Sequence, residues 1–505
     1  MSDRDLRDRS DFGDGRNVLE LSFPRKRESS ARAECAARGH WIPAFAGKTG
    51  LRLRVGAGLA LALLLLLPGC GAESARESVA PPSTLSIIYS CDTRGHIEPC
   101  GCSSGQAGGI SRRMTFLKEQ VPGPRLLVDA GDVTAGPRNW EVFEMEYILK
   151  GYAAMGYHAV NVGHREASLG AEKLKEVGVK SGLFVSANVM DASGALLFPP
   201  FKVVTVEGGY RIGILGVTDE NVAPEDQGEG IVIAPAADAV GKYLPELTPK
   251  ADFIVVLAFL EEEAMKRLAE HYFEIGVIVG GRVLQPTHTP VEVNQSRLVY
   301  ITDKGKAVGK LDIAFGADGQ ATYTNAIHML ADTMVEAPEI TPIVDEFKVR
   351  LAEMDFQPHR DDDEGLTTIT AARSDTANKY VSEAACVACH PKTVEAWKGF
   401  KHAHALESLA AKGHDSNPRC LQCHTVGYGA TDGYVNQRLT PALGSVSCES
   451  CHGRGDHHVK FYNKEDVPER AAKMATIACE SCHDPENSPA FNYETYWEKI
   501  KHGKD

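Results

Sequence analysis

The sequence predicts a layered α/β domain followed by a small, mostly helical and irregular domain. Two observations carry that reading. Residues 84–330 alternate short apolar runs with stretches of helical periodicity, the pattern of helices covering a sheet. The last 125 residues hold 8 of the 13 cysteines and 10 of the 18 histidines, so a quarter of the chain carries most of its metal-binding side chains. A length of 505 residues allows about two to four domains. With 43% hydrophobic and 24% charged residues, the chain is neither disordered nor collagen-like. A net charge of -14 argues against a nucleic-acid partner, which requires a basic face.

Targeting signals precede any folded element. Residues 55–67 form an apolar run, VGAGLALALLLLL, too short to span a bilayer comfortably. It follows Lys48, Arg52 and Arg54 and ends in Leu67-Pro68-Gly69-Cys70, which together describe a secretory signal peptide over 51–69. The ending resembles the bacterial lipobox. That resemblance implies diacylation of Cys70, a lipid anchor in the cell envelope and, with Gly71 following, outer-membrane sorting. Residues 70–83 then read as a tether. Residues 1–50 resemble a translated intergenic repeat, and the expectation is a non-structural segment with the true start near Leu51 or Val55.

Within the α/β domain, assigned to 84–355, strands are expected at 85–90, 125–129, 211–217, 251–257 and 275–279. Helices are expected at 142–155 and 262–272. An amphipathic helix over 338–354, with Ile343, Phe347, Val349 and Leu351 apolar, closes the domain. Residues 356–380 form a linker containing the charged run Arg360-Asp-Asp-Asp-Glu364. Three thiols cluster near the first strand, at Cys91, Cys100 and Cys102. In an oxidising compartment one disulfide with a spare thiol is the simpler fate. The functional alternative is a Zn or Fe site that also takes His96.

Several segments of this domain resemble the 5′-nucleotidase branch of the metallophosphoesterases: Asp92-Thr-Arg94-Gly95-His96, Asp129-Ala-Gly131-Asp132, Gly163-His164-Arg165-Glu166 and Gly309-x-Leu311-Asp312. The resemblance implies a four-layer sandwich whose site residues include Asp92, Asp132 and His164. It also exposes losses. Arg94, Arg165, Phe259 and Arg282 stand where the family has metal-binding or catalytic imidazoles. A guanidinium has no lone pair to offer a metal and adds fixed positive charge, so the expectation is a vestigial metal site without dimetal hydrolysis. The arginines either pair with Asp92, Asp132 or Glu166 or form an oxyanion pocket. A thiosulfohydrolase of sulfur oxidation belongs to the same branch, so sulfur chemistry is one outcome.

The last domain, 381–505, contains Cys-x-x-Cys-His four times: Cys386, Cys389 and His390; Cys420, Cys423 and His424; Cys448, Cys451 and His452; Cys479, Cys482 and His483. This is the c-type haem attachment spacing, with both thiols bonded to the macrocycle and the histidine as proximal iron ligand. Zinc ribbons use paired Cys-x-x-Cys but do not need a histidine after each second cysteine. First cysteines are 34, 28 and 31 residues apart, which leaves each site too little chain for an apolar core of its own. The four macrocycles are therefore expected to supply that core, and the haem-free domain to be largely unfolded.

The motifs Trp397-x-x-x-x-His402, His424-Thr-Val-Gly427-Tyr428 and Cys448-Glu-x-Cys451-His452-Gly453-x-Gly455-x-x-His458 resemble the tetrahaem cytochrome c family of the hydroxylamine-oxidoreductase-partner type. The resemblance implies distal iron ligands at His402, His458 and His502, with His414 as the fourth candidate. It also implies other redox proteins as partners. The functional expectation is a lipid-anchored, periplasmic or outer-membrane electron-transfer cytochrome. One alternative is an oxidoreductase acting on a small nitrogen or sulfur compound at a five-coordinate haem or at the cysteine cluster. A nucleotide hydrolase is the other.

Overall fold

The computed structural model describes residues 79–99, 106–223, 227–356, 378–485 and 487–502. Cys70, Cys100, Cys102, the signal-peptide segment and the charged run of the linker lie outside the described residues. Among the described residues no helix is long and apolar enough to cross a membrane.

Two six-stranded sheets form the centre of the α/β domain. The first contains β1 (Thr84–Ser90), β2 (Arg125–Asp129), β3 (Ala159–Asn161) and β4 (Phe184–Val185), followed after the second sheet by β13 (Ala307–Phe315) and β14 (Ala321–Met329). Its order is β14-β13-β1-β2-β3-β4, with β1 to β4 parallel and β13 antiparallel to both its neighbours. The second is built from β6 (Phe201–Thr205), β7 (Arg211–Thr218), β9 (Phe253–Phe259), β10 (Val277–Gly281), β11 (Val291–Val293) and β12 (Ser296–Tyr300), in the order β11-β12-β10-β9-β7-β6. There β7, β9, β10 and β12 are parallel and the two edge strands antiparallel. Short β5 (Val189–Asp191) and β8 (Ile231–Ile233) pair separately.

Strand alternation divides the apolar side chains into three layers of core. Ile87, Tyr89, Leu126 and Val128 face Ile212, Ile214, Val255, Leu257, Val277 and Val279 between the sheets. Their neighbours Ile88, Leu127 and Val160 point outward, onto α1 (Ile110–Gln120), α2 (Asn139–Met155), α4 (Ala171–Ser181) and α7 (Thr341–Met354). On the opposite outer face Leu215, Val256 and Ile278 meet α5 (Ala236–Leu247) and α6 (Glu262–His271). The short α3 (His164–Ala167) follows β3. The result is the four-layer sandwich expected. Strands buried on both faces read as continuous apolar runs, which is why they were legible. The strands expected at 251–257 and 275–279 each lie two residues later, as β9 and β10; β9 starts at Phe253 because Asp252 is used in a turn, its Oδ2 accepting from Arg211 N at 3.0 Å and Arg211 Nε at 2.8 Å.

The haem-motif region has a different construction. Its helices are α8 (Glu383–Val387), α9 (Pro391–Trp397), α10 (Ala405–Ala410), α11 (Pro418–His424), α12 (Cys448–His452), α13 (Asp456–Tyr462) and α14 (Tyr493–Ile500). Helix α9 does not continue into α10, because Phe400 adopts an extended conformation and a 3-10 turn, Lys401–His404, follows. Apolar packing here is thin: Trp397, Ala405 and Val446 form one small cluster, and a second recruits Trp140 from α2. Buried carboxylates do much of the organising. Glu449 accepts the backbone N–H groups of Val381 (3.0 Å), Ser382 (2.8 Å) and Gly455 (2.8 Å). Asp432 holds Arg454 at 2.8 Å, and that guanidinium lies over Tyr380, 4.6 Å from the ring centroid.

Behind β1 and β2, Arg113 is fully buried and its Nη1 donates to Ser90 Oγ (3.2 Å), Tyr157 Oη (3.1 Å) and Tyr152 Oη. Asp303, in the turn after β12, lies near this guanidinium, but its buried Oδ1 has no hydrogen-bond partner among the described residues. Burial pushes the Asp303 carboxyl up to about 6. An unfolded aspartate titrates near 3.9, so between those values the folded chain holds a proton that the unfolded chain has lost. This contribution to stability is present below about pH 4 and is lost as pH rises through about 6. Asp303→Asn removes the titration. The stability gap between D303N and the parent, measured by calorimetry, should therefore grow by about 2 kcal/mol in the variant's favour from pH 4 to pH 6.5 and then level off. A gap independent of pH would reject this assignment.

Candidate functional site

Open α/β sheets bind ligands at the carboxyl ends of their parallel strands, and here both sheets contribute to one such edge. Asp92 and Arg94 follow β1, Asp132 follows β2, His164 and Arg165 follow β3, Arg282 follows β10, and Thr302 follows β12. Together with Arg138 they line a cavity of about 710 Å³. The first two loops are tied along their length, Asp92 N to Gly131 O at 2.8 Å, Arg94 N to Asp132 O at 3.1 Å and Gly95 N to Val133 O at 2.7 Å. Gly131 has φ +118°, and a Cβ there would meet Gly163 N at 2.7 Å; a Cβ on Gly163 would meet Asp132 Oδ1 at 2.2 Å. Only glycine permits that approach, which seats the Asp132 carboxylate against the β3–α3 turn. Asp92, Arg94, Asp132 and Arg282 all have positive φ, a sparsely populated region that clusters at functional sites.

Both carboxylates singled out by the resemblance, Asp92 and Asp132, are engaged by an arginine or a hydroxyl. Asp92 Oδ1 accepts from Arg94 Nε, and its Oδ2 accepts from Thr302 Oγ1 at 2.9 Å. Asp132 Oδ1 accepts from Arg165 N at 2.9 Å, and Oδ2 lies 3.5 Å from Arg165 Nε. Arg282 pairs with Asp219 and lies 3.4 Å from Glu261. The paired-arginine expectation therefore holds for Arg94 and Arg165. The third pair uses Asp219, while Glu166 serves the backbone, accepting from Asp132 N (2.8 Å), Thr134 N (2.9 Å) and Gly163 N (2.8 Å). Burial and then the charge of Glu166 raise the Asp132 carboxyl well above the usual range. His164, on the rim of the same cavity, places Nε2 2.9 Å from Asp219 O and its ring edge-on to Phe259.

Of the cysteine cluster, Cys91 alone is described. It is a free thiol packed between the sheets, with Sγ donating to Gly131 O at 3.3 Å. A Cβ on Gly281 would stand 2.3 Å from this sulfur. Burial first, then Asp129 and Asp92, push the thiol well above its ordinary range, the opposite of what a reactive or metal-binding thiolate needs. His96 directs Nδ1 to Thr93 O at 3.0 Å.

In the second region the motif cysteines pair across the domain. Cys386 and Cys448 perturb each other's thiols, and Cys423 lowers that of Cys482, so the first motif adjoins the third and the second the fourth. Two of the three histidines named first as distal ligands face motif histidines. His402 and His483 have ring centroids 5.9 Å apart and His452 and His502 6.1 Å apart. An imidazole nitrogen ligates a transition metal at about 2.0–2.1 Å, so two opposed rings on one metal have centroids about 6 Å apart. Trp397 stands between the two pairs, parallel to His402 at 5.8 Å and edge-on to His502 at 6.2 Å, with its N–H on Val446 O at 3.2 Å. Other ring nitrogens are fixed in the way that orients a ligating imidazole: His424 Nδ1 on Ala405 O at 2.9 Å, His483 Nδ1 on Ser488 Oγ at 3.0 Å and His458 Nδ1 on Ala472 O at 3.1 Å.

The first motif differs from the other three in the exposure of its own residues. Cys389 and His390, the second attachment thiol and the proximal ligand of that motif, are both exposed. Their backbone supplies the reason. Cys389 N and His390 N turn back to Cys386 O at 3.2 and 2.9 Å, and Pro391 opens α9 directly after His390. The pair thus occupies a tight corner between two short helices. Burial begins only further along, at Val394 and Trp397 of α9, while α8 buries no residue. The chain by itself therefore encloses neither the thiol nor the imidazole. Burial, then the charges of His502 and His390, lower His452, which places the exposed His390 beside the third motif.

The helix carrying His458, α13, is strapped to the lead-in of the first motif. Asp456 N reaches Lys379 O at 3.2 Å, and His457 N reaches Asn378 Oδ1 at 2.9 Å. His414 occupies a different setting. Its Nε2 is 3.5 Å from Glu98 Oε2, and Glu98 also pairs with Lys348 of α7 at 2.7 Å. Burial, then Lys348 and Lys412, push His414 down to about 4, while burial raises Glu98. Both shifts favour a neutral pair at the junction with the α/β domain.

The sequence reading missed Asp219, Arg138, Thr302 and the junction residues Trp140, Glu144 and Arg419. Asp219 directly follows a strand read correctly, so the strand-end rule was a signal for it. Nothing in the spacing of the others marked them.

Residues 385–453 match the family model described as cytochrome c554 and c-prime. The chain is 34% identical over 113 residues to cytochrome c-554 of Nitrosomonas europaea, covering 18% of this chain and 48% of that protein. It is 25% identical over 310 residues to 5′-nucleotidase of Bos taurus, covering 54% of each. A solved 5′-nucleotidase precursor from Thermus thermophilus aligns over 54% of this chain and 60% of its own, at 25% identity and TM-score 0.46. The chain thus spans about half the length of the curated relatives it matches. It joins a cytochrome-c554-like region to a 5′-nucleotidase-like metallophosphoesterase fold, and the cytochrome c match implies covalently bound haem.

The setting of Cys91 has a direct consequence. In the folded protein it should resist iodoacetamide at pH 8 and become alkylated only on denaturation, as read by peptide mass spectrometry. Rapid labelling in the native state would contradict a buried thiol.

Proposed function

We propose that the chain is an extracytoplasmic electron-transfer cytochrome with four covalent haems, anchored through lipid at Cys70, with other redox proteins as partners. The observation that carries the reading is the pair of opposed imidazole couples, His402/His483 and His452/His502, each at the separation that one metal ion requires. Each couple contains the histidine of a Cys-x-x-Cys-His motif. At the first motif, where Cys389 and His390 lie at the surface, the strapping of α13 supports His458 as distal ligand. Bound haem supplies one-electron chemistry at a potential set by axial ligands, hydrogen bonding and burial. With haem bound, the chain's own part would be to offer it the imidazoles of the two couples, His402 with His483 and His452 with His502, and to fix ring nitrogens from behind.

In this reading the α/β domain is a platform without dimetal hydrolysis. Two-metal hydrolysis needs converging carboxylates and imidazoles free to bind ions, whereas Asp92, Asp132 and Asp219 are each committed to an arginine. Purified protein supplied with manganese and AMP should therefore release no phosphate above a protein-free control.

A second reading, an oxidoreductase acting on a small nitrogen or sulfur compound, is favoured by His414. That candidate ligand is engaged with Glu98, which supports an open sixth position at the second motif, whose cysteines adjoin the cavity loop through Arg419.

Haem quantitation with electron paramagnetic resonance tests both. Four haems per chain are expected, with low-spin signals from the irons of the third and fourth motifs. His402→Ala should convert one low-spin signal to high-spin while the haem count stays at four, because attachment is through cysteine. A count below four, or unchanged signals in H402A, would sink the proposal. A fourth low-spin signal favours the pure carrier; one high-spin signal in the parent favours the oxidoreductase.

A further inference from the structure

Among the described residues, the junction between the two regions contains a polar group left without a partner. Trp140, on α2 of the α/β domain, is 5% exposed, and its indole Nε1 is buried without a hydrogen-bond acceptor. An orphaned buried donor costs about 1–3 kcal/mol, and an indole N–H is a donor only, so the position calls for an acceptor. Cys420, the first attachment cysteine of the second motif, packs against the same cluster that holds Trp140. Between them lies Arg419, whose guanidinium is 5.4 Å from the Trp140 ring centroid. It donates to Glu144 Oε2 at 2.6 Å and to the backbone oxygen of Arg94 at 3.3 Å.

A c-type haem has a largely apolar rim on which the two propionate carboxylates are the strong acceptors. We infer that Trp140 donates its indole N–H to a propionate of the haem attached at Cys420 and Cys423, so that the α/β domain forms part of that haem's binding site. The adjacent Arg419–Glu144 pair sets the charge near this one iron. The inference rests on the proposed haem at the second motif and goes beyond it by giving the former phosphoesterase domain a part in tuning a redox centre. Hydrogen bonds and nearby charge are among the terms that fix a haem potential. A donor on the propionate offsets its negative charge and favours the reduced iron. Glu144 opposes the effect of Arg419.

The test is a spectroelectrochemical titration of the full-length, haem-loaded protein with three chains compared: parent, Trp140→Phe and Glu144→Gln. W140F should lower one of the four potentials and leave the other three in place. E144Q, which keeps an acceptor for Arg419 but removes the charge, should raise the same potential. Each shift should amount to a several-fold change in the reduced-to-oxidised ratio at fixed applied potential; tenfold corresponds to about 59 mV for one electron. Resonance Raman should show a displaced propionate bending band for one haem in W140F.

A merely structural role for either residue would not produce shifts of opposite sign confined to one centre. Four unchanged potentials and unchanged propionate bands in W140F overturn the inference, as do shifts spread over all four centres. If W140F fails to accumulate, an unchanged potential in E144Q overturns it instead. A parent protein lacking haem at Cys420 and Cys423 defeats the four-haem reading itself, a separate result visible by mass spectrometry of that peptide.

Discussion

Glu144 is buried to 1% exposure on an α/β helix, and a carboxylate in that position must be paired. Its partner, Arg419, comes from 275 residues further along the chain, immediately before a haem-attachment cysteine. Breaking a buried pair by removing one member costs about 3–5 kcal/mol. Here the lower end applies, because the guanidinium is one-third exposed. That single contact does what apolar packing cannot do in the second region, whose own clusters are small. It fixes the second motif against α2 and, through the Arg94 carbonyl, against the loop that borders the cavity. The rest of the junction, His414 with Glu98 and Lys348 and Asn436 with Asp355, is aligned by that seat.

The cavity shows how a metal site is closed without losing its architecture. Metal ions would have neutralised Asp92, Asp132 and their neighbours; arginines now do so from within the chain. The exchange is possible because a guanidinium reaches a carboxylate from the same loop, as Arg94 does for Asp92, or from the next strand end, as Arg165 does for Asp132. Such pairs satisfy charge but offer a metal ion no lone pair, since arginine carries donors and no acceptor.

Much of this was legible in the sequence, for identifiable reasons. Strands such as β1, β7 and β9 are buried on both faces and read as uninterrupted apolar runs, so the sandwich could be inferred. The haem motifs carry their chemistry in fixed spacing, but spacing says nothing of enclosure: Cys389 and His390 share the pattern of the other motifs and yet stand at an exposed helix corner. His402 and His502 were reached through the resemblance, and the structure sets each opposite a motif histidine. Two features left no trace. Trp140 and Glu144 look like ordinary helix residues, because their partner is distant in sequence and belongs to the other region. Asp219 was passed over because the arginines were compared only with the carboxylates of the known motifs. Cys91 was grouped with Cys100 and Cys102 by proximity along the chain, while strand alternation at the end of β1 turns its sulfur inward, against Gly131 and Gly281.

The two halves are mechanically continuous, and the continuity explains why the cavity loops keep their strained form. Asp92, Arg94 and Asp132 hold positive φ angles, each costing about 1–3 kcal/mol, a cost that the contacts of the loop must offset. The Arg94 conformation, however, is what turns its carbonyl toward Arg419 and its side chain back to Asp92. Gly95, beside it, leaves room that a Cβ would fill, at 2.7 Å from Arg419 Nη2 and 2.4 Å from Glu144 Oε2. The loop inherited from a metal site has become the socket for the arginine that precedes a haem-attachment motif. The internal ion pairs at Asp92 and Asp132 hold this loop in the shape that receives Arg419.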